Sequence, residues 1–423
     1  MKIKNIELDY GKYIFDKRIS KGLTQKEVAT GICSVPYLSK LENGKLEPNE
    51  ETLNLLLERL DIHSNISESI HKITKLLENW YLSIIDRNHI EIENNKEKID
   101  SLIKGIVTSD LLYFYHLINF RYYLYKKDFI ALKKSKQYLE EHLSKFQKQI
   151  YNYYQYFLGI YYCIQHDYQK GLYQLRVAEG LFKEDNNNDV DLFYHLALTY
   201  SNVHNIPMTI YYTNLCLDIF NSSFKFNRVM ECQLLLGINY LRLGDFDKAE
   251  FNFQQILNAS NKLENEDLIG KAYHNLGYLE SSRNNSQKSI SYFLKSLKYK
   301  SKQNESYVNT LIYLSLQYKE ANDIENAIFH IDKALKIMSF FHSSRLLFYK
   351  VQITKFKILD DDENLLALLE KEVLKYSEEI NDKANIHNYY IIAAEIHHKN
   401  KMYKKSSKYY RLAYDILYNL HKK

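Results

Sequence analysis

Hydrophobic residues recur at intervals of three and four positions along almost the whole chain of 423 residues. This spacing is typical of amphipathic helices, because it places the apolar side chains on one helix face. Only 3 Pro and 12 Gly interrupt the pattern, which are too few turn residues for a sheet-rich protein. The pattern therefore predicts an all-α protein. The chain is too long for one compact core, so we expect a small domain joined to a helical array.

Local signals within the first 60 residues predict four short helices. The first covers residues 8–22 and carries Ile19 on its apolar stripe. Thr24, with Glu27 three positions later, forms a capping box that opens the second helix, and Ser34 caps the third. The apolar residues of the fourth helix close the core of this domain: Leu53, Leu56, Leu57 and Leu60.

Internal repeats follow a predicted linker of helices over residues 66–110 and extend over residues 111–423. The clearest unit, LLLGINYLRLGDFDKAEFNFQQIL, has the tetratricopeptide spacing of small, aromatic and turn residues at Gly237, Tyr240, Gly244, Ala249, Phe253 and Ile256. The same internal spacing returns at Gly159, Tyr162, Gly171 and Ala178; Ala197, Tyr200, Thr209 and Cys216; Gly277, Ser289, Phe293 and Ser296; Ser315, Tyr318, Ala327 and Ala334; and Ala394, Ser406, Tyr410 and Ala413. A period of about 38 to 41 residues predicts a right-handed TPR-like α-solenoid with a concave groove.

Charge singles out the N-terminal segment as a nucleic-acid binder. The net charge of the whole chain is only +5, so DNA binding requires a local basic patch. Residues 11–46 carry seven Lys or Arg against three acidic residues. Two short helices joined by a tight turn are also the geometry in which the second helix enters the major groove. We therefore predict a DNA-binding domain over residues 1–65.

Other features of the composition exclude several classes of protein. The four cysteines are widely spaced and form no Cys-x-x-Cys pair, which indicates reduced thiols and neither zinc nor disulfides. We expect no metal and no other cofactor. The chain shows neither a signal peptide nor an apolar run of about 18 residues, so we expect a cytoplasmic protein with no membrane partner. The 39 Tyr are predicted to pack between helices with their phenol ends toward water.

The segment GLTQKEVA followed by YLSKLENGKLEP resembles the lambda-repressor-type (XRE) family of helix-turn-helix proteins. The turn between the two helices reads ICS and is one residue shorter than usual, which is similar to the PlcR and Rgg branch of that family. The resemblance implies a lambda-repressor-like domain that binds a double-stranded DNA operator. The alternative is a domain of this pattern that serves dimerisation or protein binding.

Positions within this motif assign the candidate DNA contacts. Side chains of the third helix are expected to face base edges, and they are Val35, Pro36, Tyr37 and Lys40, with Ser34 and Ser39 beside them. This surface lacks the Arg, Gln and Asn of bidentate readout, so thymine methyl contacts and DNA shape are expected to contribute to specificity. By resemblance, phosphate contacts are assigned to Gln25, Asn43 and Lys45, together with Lys12 or Lys17.

The combination of this domain with repeats near 40 residues resembles the RRNPP-type (PlcR/Rgg/NprR-like) quorum-sensing regulators. The resemblance covers essentially the entire chain. It implies a cytoplasmic, usually homodimeric transcription regulator whose repeat domain binds a short linear signalling peptide. Peptide binding is expected to change the DNA-binding state by favouring one conformation of the array.

A groove that holds an extended peptide must satisfy its backbone, and Asn amides pair with both N–H and C=O groups. The first helix of each repeat is expected to line the groove. The candidate peptide-binding residues on these helices are Tyr194, Asn202, Glu231, Arg242, Lys271, His274, Asn275 and Asn309. Asn275 and Asn309 are the preferred backbone contacts.

An enzymatic activity of the chain itself is not expected. The sequence contains no Gly-rich phosphate loop, no His-Glu-x-x-His and no Gly-x-Ser-x-Gly. One alternative is a Rap-like protein that binds or dephosphorylates a response regulator, because orienting a water molecule needs only one amide or carboxylate. A second alternative is a protein-interaction scaffold that carries a helix-turn-helix domain.

Overall fold

The structure is a computed structural model that describes residues 10–61, 66–103, 109–185, 189–259, 265–302, 304–340, 345–380 and 383–421. All regular elements in these ranges are helical, which confirms the predicted all-α class. Within the same ranges, none of the helices combines the length and the hydropathy needed to cross a bilayer. The chain forms two compact units, Met1–Leu235 and Leu236–Lys423.

The first unit begins with four short helices and continues with longer ones. In chain order they are α1 (Tyr10–Ser20), α2 (Gln25–Ala29), α3 (Val35–Glu42), α4 (Glu50–Arg59), α5 (Ile66–Asp86), α6 (His89–Leu102), α7 (Ser109–Lys126), α8 (Phe129–Glu141), a 3-10 turn (Leu143–Lys145), α9 (Lys148–Ile164), α10 (Tyr168–Glu184), α11 (Val190–Asn202) and α12 (Ile206–Ser222). Helix α13 (Phe226–Leu243) begins in the first unit and ends in the second.

The second unit contains helices of 13 to 19 residues and one interrupted helix. In chain order they are α14 (Phe246–Asn258), α15 (Glu266–Ser282), α16 (Ser286–Tyr299), α17 (Glu305–Glu320), α18 (Ile324–Phe340), α19 (Arg345–Ile358), α20 (Asp362–Leu368), a π-helical turn (Leu369–Val373), α21 (Leu374–Glu379), α22 (Lys383–Lys399) and α23 (Tyr403–His421). The predicted domain limits at 65/66 and 110/111 stay a prediction. The first falls at residues 62–65, outside the described residues.

The buried apolar residues of helices α1 to α4 form part of one hydrophobic core that continues into the following helices of the first unit. The predicted apolar residues of α4 pack there, with Leu56 and Leu60 almost fully buried. The prediction for Ile19 is wrong, since this side chain is 54% exposed and Tyr13 is buried on α1 instead. Ile19 follows Ile14 by five positions, which places the two side chains on different helix faces.

Successive helices of the array are joined by a recurring turn. The residue between two helices adopts a positive φ, as at Lys127 (56°) and His166 (63°), and in the described turns of the array Gly244 is the one glycine at such a position. In most of these turns an Asp or Asn follows and caps the next helix, as Asp167 does by accepting the N–H of Lys170 at 3.3 Å. The turn therefore has a recurring geometry but little sequence signature, because residues as different as Asn, Asp, Lys, His, Arg and Phe occupy the left-handed position.

The small residues of the predicted repeats lie where paired helices approach each other. Ala178, Ala197, Cys216, Ala249, Ser289, Ser296, Ser315, Ala327, Ala334 and Ala394 are all fully buried. At Gly277 a Cβ atom would lie only 2.7 Å from Cδ1 of Phe293, so the ring packs directly over the glycine. The prediction for Tyr410 is wrong, because this ring is 44% exposed. It lies sixteen positions after Ala394, as Phe293 does after Gly277, but Ala394 carries a methyl group where Gly277 has none.

Candidate functional site

The candidate DNA-binding surface is formed by α2 and α3, and their predicted caps are present. Thr24 Oγ1 accepts the N–H of Glu27 at 3.2 Å, and Glu27 Oε2 accepts the N–H of Thr24 at 2.7 Å. Ser34 Oγ accepts the N–H of Tyr37 at 3.3 Å and opens α3. Because side-chain oxygens satisfy the first N–H groups of each helix, these caps set the start of both helices.

A buried ion pair beneath this surface connects α1 to the end of α3. Arg18 donates from Nε to Glu42 Oε1 at 2.6 Å, and its second nitrogen reaches Oε2 at 2.9 Å. Both side chains are at most 8% exposed, and Glu42 raises the pKa of Arg18 by accepting these hydrogen bonds. Gln25, a candidate phosphate contact, donates from Nε2 to Glu42 Oε2 at 2.7 Å. The sequence pattern contained no signal for the pair of Arg18 and Glu42. The hydrogen bond to Glu42 orients Gln25 and uses one of its two amide N–H groups, so the other can donate to a further acceptor.

The outer surface of α3 carries most of the candidate base contacts. Val35 is 40% exposed, Pro36 and Lys40 are exposed, and Tyr37 is half-buried. Ser34 is exposed and Ser39 is half-buried on the same short helix and its cap, and Lys45 is exposed just beyond it. Asn43, also exposed, donates its amide to the carbonyl of Ser39 at 2.7 Å. The structure thus brings the nine candidate residues onto α2, α3 and the turn that follows α3.

Helix α1 contacts the start of α7 through two polar side chains. Lys12 lies 2.6 Å from Asp110, whose side chain is 7% exposed. Asp16 accepts from Oγ of Ser109 at 2.6 Å and from its N–H at 3.2 Å. Lys12, one of two alternative phosphate contacts, therefore forms an ion pair with the array. The other alternative, Lys17, is half-buried with its Nζ 5.9 Å from the ring centre of Tyr13.

Two of the candidate peptide contacts lie in a buried ionic cluster of the first unit. Tyr194 is 5% exposed, and its ring centre is 4.1 Å from the guanidinium of Arg228. Glu231 accepts from Arg228 at 2.6 Å and also pairs with Arg87 at 2.6 Å. The third candidate of this unit, Asn202, is exposed and donates its amide to the carbonyl of Leu198 at 2.8 Å.

The centre of this cluster is Asp191, which is 1% exposed between two guanidinium groups. Its carboxylate accepts from Arg228 at 2.9 Å, from Arg121 at 3.0 Å and from the hydroxyl of Tyr156 at 2.8 Å. Burial opposes ionisation of Asp191, but the neighbouring His195, the two guanidinium groups and the Tyr156 hydroxyl hold its pKa well below its usual range. We call Arg121, Tyr156, Asp191 and Arg228 the Asp191 cluster. It connects α7, α9, α11 and α13.

A second buried carboxylate, Asp189, lies two residues before the Asp191 cluster. Its Oδ2 accepts from the hydroxyls of Tyr81 at 3.1 Å and Tyr153 at 3.0 Å, and burial raises its pKa. The prediction that phenol groups turn toward water is therefore wrong for Tyr81, Tyr153 and Tyr156. Their partners lie 35 to 108 positions away along the chain, so local spacing contained no signal for these contacts.

The other candidate peptide contacts lie in the second unit, mostly on α15. Lys271 pairs with Asp267 at 2.5 Å, and Asn275 donates its amide to the carbonyl of Lys271 at 2.8 Å. His274 Nδ1 is 3.1 Å from Thr310 Oγ1 on α17, next to the half-buried Asn309. The remaining candidate, Arg242, is exposed near the end of α13, 3.4 Å from the amide oxygen of Asn239. The structure therefore brings Lys271, His274, Asn275 and Asn309 onto the adjacent helices α15 and α17.

Three family models match separate parts of the chain. The model described as "Helix-turn-helix" matches residues 14–65, and the model described as "Tetratricopeptide repeat" matches residues 229–302. A third, described as "response regulator aspartate phosphatase H, N terminal", matches residues 68–126. The helix-turn-helix and the repeats that the sequence predicted are thus confirmed.

Among known proteins, the transcriptional activator NprA of Geobacillus stearothermophilus is similar to this chain over nearly its full length. The two are 29% identical over 403 residues, which are 93% of this chain and 99% of NprA. The apo form of the quorum sensor NprR from B. thuringiensis matches this chain with a TM-score of 0.71 and 22% identity, covering 82% of this chain and 99% of that one.

NprR in complex with its cognate peptide NprX is also similar in structure to this chain. Its TM-score is 0.69 at 23% identity, and the match covers 82% of this chain and 99% of that chain. At this identity the likeness concerns the fold alone, and it confirms the TPR-like helical repeats. The handedness of the array and the assignment of individual site residues stay predictions.

Proposed function

We propose that this protein is a sequence-specific transcription regulator that binds double-stranded DNA through α3 and whose DNA binding is controlled by a short linear peptide bound in the repeat domain. The observation that carries the proposal is the exposed surface of α3 above the buried pair of Arg18 and Glu42. This pair orients Gln25 next to the same surface. A helix held by a rigid base is what readout in the major groove requires.

The DNA contacts fall into two groups. Tyr37, Lys40 and Val35 are positioned for base edges, and Gln25 and Lys45 for phosphates. Base contacts are expected to provide specificity, and phosphate contacts to provide affinity that falls with salt. Operators recognised by such domains are usually palindromic, so we propose that a homodimer places two α3 helices one helical turn of DNA apart.

Peptide control is supported by the array and by the relatives. NprA is described as a transcriptional activator, and the NprR structure contains its cognate peptide. On this chain we assign backbone recognition to Asn275 and Asn309, because they lie on neighbouring helices of the second unit. A regulator of transcription acts in the compartment that holds the DNA, so we propose a cytoplasmic location.

DNA binding is tested by fluorescence anisotropy with duplexes tiled across the promoter region of the protein's own gene, in 50 mM and 200 mM salt. We expect one duplex to bind more tightly than the others by about 1000-fold or more. The double variant Y37A/K40A should lose this preference but keep its helix content. The matched control Y173A/K133A changes an exposed Tyr of α10 and an exposed Lys of α8, and it should bind like the wild type. Equal, weak binding to all duplexes would contradict the proposal.

A second candidate function is binding of a response regulator, with or without release of its phosphate. It is favoured by the match of residues 68–126 to the N-terminal part of response regulator aspartate phosphatase H. The test is incubation of the full chain with phosphorylated receiver domains and measurement of complex formation and phosphate release. Complex formation without DNA binding would replace the first proposal by the second.

A further inference from the structure

Beside the candidate peptide contacts of the second unit lies a buried lysine that has no carboxylate partner among the described residues. Lys300, directly after α16, is 7% exposed. Its Nζ donates to Thr310 Oγ1 at 2.8 Å and to the carbonyl of Ser306 at 3.2 Å. Burial lowers the pKa of Lys300, and among the described residues Asp267 is the acidic residue whose charge raises it. Asp267 is itself paired with Lys271. An ammonium group has three donors, so one N–H and the positive charge of Lys300 require a further partner.

The fold provides a specific path for this side chain. A Cβ atom at Gly270 on α15 would lie 2.9 Å from Cγ of Lys300 and 3.3 Å from Cβ of Tyr299. Ser296 Oγ also donates to the carbonyl of Gly270 at 2.6 Å, which holds α16 against the same turn of α15. The absence of a side chain at Gly270 therefore lets the Lys300 stem cross α15 and reach α17.

The hydrogen bonds of Thr310 fix which atoms of Lys300, Thr310 and His274 donate and which accept. Thr310 Oγ1 donates its only proton to the carbonyl of Ser306 at 2.9 Å, so it accepts from Lys300. His274 Nδ1, 3.1 Å away, must then donate to the same oxygen, which leaves a lone pair on its Nε2. Burial, together with the charge of Lys300, lowers the pKa of His274 to about 3, so the imidazole is neutral near pH 7.

Burial also lowers the pKa of Lys300 to about 8, which leaves its ammonium charged at neutral pH. A buried cation without a counter-ion is unfavourable, and an incoming anion would remove that cost. The cluster provides a single positive charge and one remaining donor. This fits a monoanionic carboxylate better than a phosphate, which carries more charge and needs more donors.

We propose that Lys300, held in place by Thr310, receives a carboxylate group of the peptide ligand through its remaining N–H. The proposal rests on the proposed peptide-controlled function and names the chemistry that the peptide must present. Lys271 and Asn275 lie on the same helix as His274, and Asn309 precedes Thr310. Peptide backbone recognition by the two asparagines and carboxylate recognition by Lys300 would therefore occur on adjacent helices.

The probes for the test are three random heptapeptide libraries presented to the full-length protein. The first has free C-termini, the second has C-terminal amides, and the third has C-terminal amides and lacks Asp and Glu. Bound peptides are resynthesised as matched carboxylate and amide pairs, and their affinities are measured by calorimetry. The first and second libraries distinguish a C-terminal carboxylate from an acidic side chain. We expect binders only where a carboxylate is present, and a loss of about 10- to 100-fold when it becomes an amide.

Two variants assign the effect to Lys300. K300M removes the charge at nearly constant volume, and K300Q keeps an N–H donor without the charge. In both, matched carboxylate and amide peptides should bind equally. The control K298M changes an exposed Lys near the end of α16 and should keep the full preference. If K300M and K300Q keep the wild-type preference, or if the third library binds as well as the first, the carboxylate proposal is wrong and peptide control stands. If no library binds at all, peptide control itself fails.

Discussion

Lys12 of α1 forms an ion pair with Asp110 at the first turn of α7, with 2.6 Å between Nζ and Oδ1. Gln147 donates to the other oxygen of Asp110 at 2.8 Å, and Asp16 of α1 contacts the neighbouring Ser109. The helix-turn-helix domain is thus held to the first helices of the array by polar contacts. One of its candidate phosphate-binding lysines is engaged in them.

The variant D110N should strengthen DNA binding, because it releases Lys12 from its ion pair and retains the hydrogen bond with Gln147. A further phosphate contact steepens the dependence of log K on log salt by about 0.9. The measurement is anisotropy with a duplex at several salt concentrations. D185N, which breaks the pair of Lys148 and Asp185 in the same unit, is the control and should leave the slope unchanged. An unchanged slope in D110N would show that Lys12 does not contact phosphate.

The variant D191N should strongly destabilise the first unit. Replacing the carboxylate by an amide removes the buried counter-charge of Arg121 and one of the two carboxylates that pair with Arg228, and breaking a buried ion pair typically costs about 3–5 kcal/mol. The measurement is the free energy of unfolding from urea titration. D189N is a matched control two residues away, because Asp189 accepts from neutral phenols, and it should cost about 1 kcal/mol. Equal losses in the two variants would contradict the importance of the paired charges.

The variant G277A should destabilise the second unit by about 1–2 kcal/mol. The new methyl group would lie 2.7 Å from the ring of Phe293, and this overpacking outweighs the helix propensity gained from alanine. In α17 and α18, Ser315 and Ile331 occupy the same spacing and are both fully buried. The double variant G277S/F293I should therefore recover most of the stability.

The control for this prediction is Gly180, an exposed glycine within α10. A Cβ atom there would meet nothing within 4 Å, so G180A should stabilise the protein by about 0.5–1 kcal/mol. Thermal unfolding of the three variants checks the sign in each case. Stabilisation by G277A would mean that Phe293 can move away from the glycine.

Acid should destabilise the protein between about pH 6.5 and pH 4, before the carboxylates titrate. Burial lowers the pKa of His116 and of His195 to about 4. A histidine in the unfolded chain titrates near 6.5. Between these two pKa values the unfolded chain binds more protons than the folded chain, so the free energy of unfolding decreases as the pH is lowered. The depressed pKa of Asp191 contributes stability that is lost only below about pH 4. Urea midpoints at pH 7.5, 5.5 and 4.5 measure the effect.

The variant H116F should flatten this pH dependence. The His116 ring lies tilted against the ring of Tyr138 with 4.0 Å between centroids, and phenylalanine keeps the aromatic contact without a titrating group. H398F, at an exposed position of α22, is the control and should leave the pH dependence as in the wild type. The same slope in H116F and the wild type would exclude His116 as a contributor.

Much of the fold could be predicted from the sequence because it depends on contacts between near neighbours. The caps at Thr24 and Ser34 involve residues three positions apart, so the short motif contains both partners of each hydrogen bond. The repeats were visible because pairs of helices need small residues at fixed intervals, as at Ala249 and Ala334. The same spacing predicts that Ile19 and Tyr410 pack against neighbouring helices, but both side chains are exposed.

The arrangement of the polar residues depended instead on contacts between distant segments. The repeat pattern predicts that Tyr194 and Glu231 line the peptide groove, yet both contact the buried Arg228. Asp191 reaches Arg121, 70 positions away, and Lys300 reaches Thr310 only because Gly270 on a third segment leaves room. Helix periodicity indicates which face a side chain occupies, whereas its burial and its charge partner depend on what packs against that face. The local motifs therefore specified the helices and the candidate DNA surface, and the packing of distant helices specified which buried charges have a carboxylate partner, as around Asp191, and which have none among the described residues, as at Lys300.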